Sequence, residues 1–186
     1  MGFKEMLLEK LGQEVSELEI KLIPKGFQKV GNKIIINLPL ELEEKFEIIG
    51  KGILEIFPLV KSVFVKVGGI SGEFRRPQLK LIAGDDNSIV EHFENGVWYV
   101  YDLKKIMFAK GNVSERGRLP KIVREGEVIV DMFVGIGYFS LPIAKKVRGV
   151  KIYGIDLNSD SIYWLKKGVE KNKLENLEVI EGDSKN

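Results

Sequence analysis

Cysteine is absent from this 186-residue sequence, and His92 is its one histidine. The first absence removes disulfides, thiolate metal sites and a cysteine nucleophile. The second argues against a histidine-ligated zinc and a Ser-His-Asp triad, so no metal centre is expected. No apolar run reaches the ~18 residues that span a bilayer. Met1-Gly2 followed by charged residues is not a signal peptide, which makes a cytoplasmic location the expectation. No Gly-Lys-Ser/Thr is present, which excludes a P-loop. Internal repeats and low-complexity linkers are also missing, and the net charge is only +2.

What the chain does contain is enough apolar residue, 44%, for a real core and enough charge, 30%, for a solvated surface. Lys, Glu and Ile are abundant, a bias that fits a thermophile. Phe3, Leu7, Leu8 and Leu11 stand at helical spacing, and Val15 to Leu22 suits a second short helix before Pro24-Lys-Gly26. Residues 27–38 read as a hairpin turning at Gly31-Asn32. Leu40 to Phe57 carries a helical apolar face but also Gly50 and Gly52. Val60–Val67 and Gln78–Ile82 read as strands, and Glu94-Asn95-Gly96 as a hairpin turn before Val97–Tyr101. Residues 1–110 are therefore expected to form a small α+β domain.

From about Leu119 the pattern becomes strand, helix, strand, helix, strand, which predicts a parallel sheet. The strands are 127–131, 151–155 and 177–181, and the helices 138–146 and 159–172, with Asn158 or Ser159 as N-cap. Residues 111–186 thus read as the first half of an α/β Rossmann-like domain. Its centre is Glu127–Ser140: a β-branched strand, a glycine turn and a helix start, the nucleotide-binding corner of such a sheet. Gly135 and Gly137 are expected to let the backbone approach a ligand. Asp131, Asp156 and Asp183 end the three successive strands. An acid after the second strand can take ribose hydroxyls, and one after the third can face an adenine.

Ser140 stands where a dinucleotide fingerprint has its third glycine, and Asp131 precedes the turn, where a carboxylate opposes a pyrophosphate and favours a cation. A sulfonium nucleoside, S-adenosyl-L-methionine, suits that field better than NAD. Lys104 to Arg124 holds seven basic residues against Glu115 alone. That stretch is either a phosphate-binding stripe or a solvated face.

Asp131-Met-Phe-Val-Gly-Ile-Gly-Tyr-Phe-Ser140 resembles the first motif of the class I methyltransferase-fold enzymes that modify position 37 of tRNA. The resemblance includes Gly69–Arg75, Glu94-Asn-Gly96, Asp102–Phe108, Gly111-Asn112-Val-Ser-Glu115-Arg116 and Asn172-Lys-Leu174. Two relatives compete. One is the wybutosine-pathway transferase, which moves the 3-amino-3-carboxypropyl group of S-adenosyl-L-methionine onto the tricyclic derivative of guanine 37 in tRNA(Phe). The other is the tRNA guanine-37 N1-methyltransferase. Gly137-Tyr-Phe-Ser140, the Gly-Asn-Val-Ser-Glu-Arg connector and a start close to the small α+β domain are similar to the former. A non-catalytic RNA- or nucleotide-binding fragment is a third possibility.

The resemblance implies tRNA as partner, with the first domain positioning it. It places Arg116, Asp131, Phe133, Gly135, Gly137 and Asp156 at the cofactor, with Asp183 and Ser184 near its adenine. Arg116 could hold the methionyl carboxylate or a tRNA phosphate, or form a surface ion pair with Glu115 or Glu127. Tyr138 is a candidate positioning residue. Ala109 stands where the family often has Ser, which puts a hydroxyl contact in doubt. His92 reads as a structural histidine, Trp98, Tyr99 and Tyr101 as hairpin packing, and Arg75 as either an RNA contact or a solvated turn. The sequence stops after the third strand, so the sheet is expected to be incomplete. The central strand would then be open, with cofactor binding weak or absent and no turnover by this length of chain alone.

Overall fold

The computed structural model describes residues 1–69 and 76–185, and its contacts divide the chain into two units, Met1–Ser88 and Ile89–Asn186. In the first unit, α1 (Phe3–Leu11) is followed by α2 (Glu17–Leu22). Ser16 caps α2, its hydroxyl accepting from the Glu19 N–H while the Glu19 carboxylate accepts from the Ser16 N–H. That reciprocal box satisfies two otherwise orphaned donors. Then come β1 (Gln28–Val30), β2 (Lys33–Ile36), α3 (Phe46–Ile56), β3 (Ser62–Lys66) and β4 (Leu79–Gly84). The sheet order is β1-β2-β3-β4, with β2 and β3 parallel and the outer pairs antiparallel. Leu7, Leu11, Ile34, Ile36, Leu42, Ile49, Ile53, Val63 and Val65 form its core.

The single helix expected over 40–57 begins as a 3₁₀ turn, Leu40–Lys45, and becomes α-helical only at Phe46. The two glycines inside it have a packing reason. A Cβ on Gly50 would lie 2.8 Å from the Ala83 Cβ, and one on Gly52 3.2 Å from Leu7. Their absence lets α3 sit close on β4 and α1, which outweighs the helix propensity lost.

The second unit opens with the hairpin of β5 (Ile89–Glu94) and β6 (Val97–Asp102). Asn95 (φ 52°) and Gly96 (φ 82°) are both left-handed, as a two-residue primed turn requires. After α4 (Val113–Arg118) come β7 (Val128–Asp131), α5 (Ser140–Lys146), β8 (Lys151–Asp156), α6 (Ser159–Asn172) and β9 (Leu177–Glu181). The three strands are parallel in the order β7-β8-β9, the expected Rossmann-like arrangement. Asn158 caps α6 through its side-chain oxygen.

The sequence reading ended the first domain at 110; the division falls at Ser88. The β5–β6 hairpin belongs with the parallel sheet because α6 packs on β6. Asn172 at the end of α6 fastens it. Its side-chain oxygen accepts from the Trp98 N–H (2.9 Å), and its amide nitrogen donates to the Trp98 and Gly168 carbonyls (2.7 and 2.8 Å). A side chain thereby serves as the missing strand partner for residue 98. Among the described residues β7 pairs only with β8, and Val128 and Val130 stand 68% and 57% exposed.

Candidate cofactor site

The three parallel strands end side by side, and their C-terminal ends bring together most of the residues expected at a ligand. Asp131 closes β7, Asp156 closes β8, and Asp183 follows β9 after Gly182. Between β7 and α5 the glycine turn is tied to its neighbour. The Gly135 N–H donates to Asp156 Oδ2 (2.8 Å), and the Val134 N–H donates to the Ile155 carbonyl (3.0 Å). The other Asp156 oxygen accepts from the Asn158 N–H (2.9 Å). Asp156 therefore braces the glycine turn and the start of α6 at once, and each oxygen keeps a further lone pair for a ligand hydroxyl.

Ser140, the residue in place of a third glycine, is buried and donates its hydroxyl to Asp131 Oδ2 (2.6 Å). The bond fixes the carboxylate's direction at the mouth of the turn. Phe133 lies beside it, 78% exposed. Asp183 is exposed and accepts from the Lys185 N–H (3.0 Å), and Ser184 is half-buried next to it.

The expectation for the two glycines is revised. Gly135 (φ 56°) and Gly137 (φ 83°) do need left-handed backbone. Yet a Cβ on Gly135 would meet the Tyr138 ring at 2.7 Å, and one on Gly137 would meet Leu141 and Leu165 at 2.6 and 2.7 Å. Both serve internal packing of the turn against Tyr138, α5 and α6. The predicted helix start at 138 is also early by two residues, since Tyr138 and Phe139 still belong to the turn.

Arg116 is corrected more strongly. Its side chain is 0% exposed. Its Nε and Nη2 donate to the two Glu94 oxygens (2.6 and 3.1 Å), and Nη1 donates to the Ala109 carbonyl (3.1 Å). The guanidinium also lies 4.6 Å from the Phe108 ring centre. Its partner is neither Glu115, which pairs with Arg118, nor Glu127. Burial pushes the Glu94 carboxyl up, but the Arg116 bonds and charge outweigh it and hold the group below the ordinary carboxylate range. His92 packs edge-on against Phe108, and burial lowers it against the pull of Glu94.

The TRM5/TYW2 methyltransferase domain matches residues 90–186, and the TYW2 N-terminal domain matches residues 7–87. The chain belongs to the TRM5/TYW2 family. It is 37% identical over 165 residues to a Pyrococcus abyssi tRNA (guanine(37)-N(1))-methyltransferase, Trm5b, covering 89% of this chain and 49% of that protein. It is also 37% identical over 174 residues to a Pyrococcus horikoshii tRNA(Phe) (4-demethylwyosine(37)-C(7)) aminocarboxypropyltransferase, covering 94% and 61%. The crystal structure of P. horikoshii TYW2 in complex with MeSAdo superposes with a TM-score of 0.82 at 31% identity, covering 97% of this chain and 64% of that one. The chain thus spans about half to three fifths of these two curated relatives' length.

Within this TRM5/TYW2 chain the basic stretch is not one stripe. Arg116 is buried, Lys105 pairs with Asp160 (2.8 Å) and Arg118 with Glu115, while Lys121 and Arg124 are exposed. Of the motif Gly69–Arg75, residues 70–75 lie outside the described residues, as does any RNA contact expected there. Sequence reasoning missed Glu94 and Asn172 as anchors. Both stood inside motifs that carried the resemblance, and that was the available signal.

Proposed function

We propose that this chain carries the N-terminal and cofactor-binding parts of a tRNA position-37 transferase that uses S-adenosyl-L-methionine. The group transferred is the 3-amino-3-carboxypropyl group, placed on the tricyclic guanine-37 derivative of tRNA(Phe), and the enzyme works in the cytoplasm. The observation that carries the cofactor is the row of carboxylates Asp131, Asp156 and Asp183 on three adjacent parallel strand ends around a glycine turn. A phosphate-rich nucleotide would meet negative charge there, whereas a sulfonium meets a favourable field. Asp156 would hold the ribose and Asp183 with Ser184 the adenine. Asp131, aimed by Ser140, would face the cationic end, with Phe133 beside it. Arg116 supports this arrangement from beneath, by holding the Ala109 carbonyl.

When bound, S-adenosyl-L-methionine supplies a sulfonium with three activated carbons, and the one held in line with the nucleophile sets the product. The match of residues 7–87 to the TYW2 N-terminal domain favours the aminocarboxypropyl group. The guanine-37 N1-methyltransferase is the second reading, favoured by an equal 37% identity to Trm5b.

Calorimetry should find S-adenosyl-L-methionine bound in preference to NAD or ATP, and Asp156→Asn should weaken it about tenfold or more. Equal or tighter NAD binding would overturn the cofactor assignment. For the transferred group, the polypeptide bearing these residues is given precursor tRNA(Phe) and cofactor labelled in either the methyl or the carboxyl carbon. Methyl label in the RNA rules out the first reading; carboxyl label alone rules out the second.

A further inference from the structure

The glycine turn is held from a side that the strand ends do not explain. Tyr99, fully buried on β6, donates its hydroxyl to the Tyr138 carbonyl (3.0 Å). The Tyr138 hydroxyl in turn donates to the Met107 carbonyl (2.6 Å), 31 residues earlier. Between these two bonds the Tyr138 ring lies over Gly135, so close that a Cβ there would be 2.7 Å from it. The segment that Tyr138 grips is itself anchored. Phe108 packs against Tyr99, Tyr101, His92 and Tyr138, and the Ala109 carbonyl accepts from the buried Arg116, itself paired with Glu94. Burial raises the Tyr99 and Tyr138 hydroxyls well above their ordinary range, so both remain protonated donors at neutral pH.

The strand order decides which part of a ligand this device would meet. With ribose on β8 and adenine on β9, the sulfonium and its arms extend towards β7 and the glycine turn, where Tyr138 stands. We propose that Tyr138 is a positioning residue. It sets the gap between the glycine turn and Met107–Ala109 before any ligand arrives, and it forms the wall against which the non-nucleoside arm of the cofactor is placed. The assignment of the arm rests on the cofactor reading above; the setting of the turn does not.

Two measurements test it, on Tyr138→Phe and on Tyr99→Phe, which releases the same turn from its other tether. In the ligand-free protein, amide hydrogen exchange over 132–140 should accelerate about tenfold in either variant, the size expected for one lost hydrogen bond, with 28–36 unchanged. In calorimetry, S-adenosyl-L-methionine affinity should fall about tenfold in Tyr138→Phe, while that of methylthioadenosine, which shares the nucleoside but lacks the amino-acid arm, should change less than about twofold. Unchanged exchange overturns the setting of the turn. Equal losses for the two ligands, or none, overturn the wall. If the longer polypeptide bearing these residues, unsubstituted, binds neither ligand, the cofactor reading fails and the wall with it, while the exchange result still decides whether the tyrosines hold the turn.

Discussion

Replacing Glu94 by glutamine should destabilise the second unit severely. Glutamine keeps the side chain's shape and one of the two oxygens, so at most one of the bonds to Arg116 survives. The guanidinium it faces is 0% exposed and has no water to turn to. Its remaining contacts are the Ala109 carbonyl and the Phe108 ring, neither of which neutralises a full charge. Stranding one member of a buried pair costs about 3–5 kcal/mol. At about 2–4 °C per kcal/mol for a chain of this size, the unfolding midpoint should drop by roughly 6–20 °C. The only two tryptophans, Trp98 and Trp164, lie in the second unit, so a fluorescence-detected thermal melt reports that unit directly. Adding Arg116→Met to Glu94→Gln should recover most of the loss, because the uncompensated charge is then gone. A single-variant cost under about 1 kcal/mol, the range of exposed pairs, would show that solvent reaches the pair. A double variant no better than the single would show that charge was never the issue.

Three further outcomes follow from the same geometry. Asn172→Ala removes three hydrogen bonds, two of them to the Trp98 backbone, so urea unfolding followed by tryptophan fluorescence should show a loss of about 2–4 kcal/mol. Gly50→Ala would raise helix propensity but put its methyl 2.8 Å from Ala83, so circular dichroism melts should show a net loss of about 1–2 kcal/mol rather than a gain. Acid should destabilise the second unit in two stages. His92 and Glu94 both sit below their ordinary values of 6.5 and 4.5 in the folded protein, so the unfolded chain takes up each proton first as pH falls. The urea midpoint should begin to drop below about pH 6.5 and drop again below about pH 4.5, and His92→Gln should remove the first stage only.

The local alphabet of this protein is legible along the chain because its rules act over a few residues. β-Branched runs announced β3 and β7, Glu94-Asn95-Gly96 announced a hairpin turn, and Asn158 or Ser159 announced the start of α6. The strand-end row Asp131, Asp156 and Asp183 followed from the same local rules, since regular strand–helix alternation delivers each strand end to the same edge of a parallel sheet. What the sequence could not supply was any choice among distant partners. Arg116 carried its own charge in plain sight next to Glu115, yet its pair is Glu94, 22 residues away, because the half-buried Glu94 carboxylate lies within hydrogen-bond reach of the buried guanidinium. The division at Ser88 depended on Asn172 reaching back 74 residues to Trp98. Gly135 and Gly137 looked like openings for a ligand; tertiary packing fills those openings with Tyr138, Leu141 and Leu165. Sequence by itself determined most of the elements, their order and the row of carboxylates at the three strand ends, which are properties of short range and period. Tertiary structure alone decided which charges are buried, which hairpin joins which sheet and what braces the glycine turn, because those depend on groups that meet only once the chain has closed on itself.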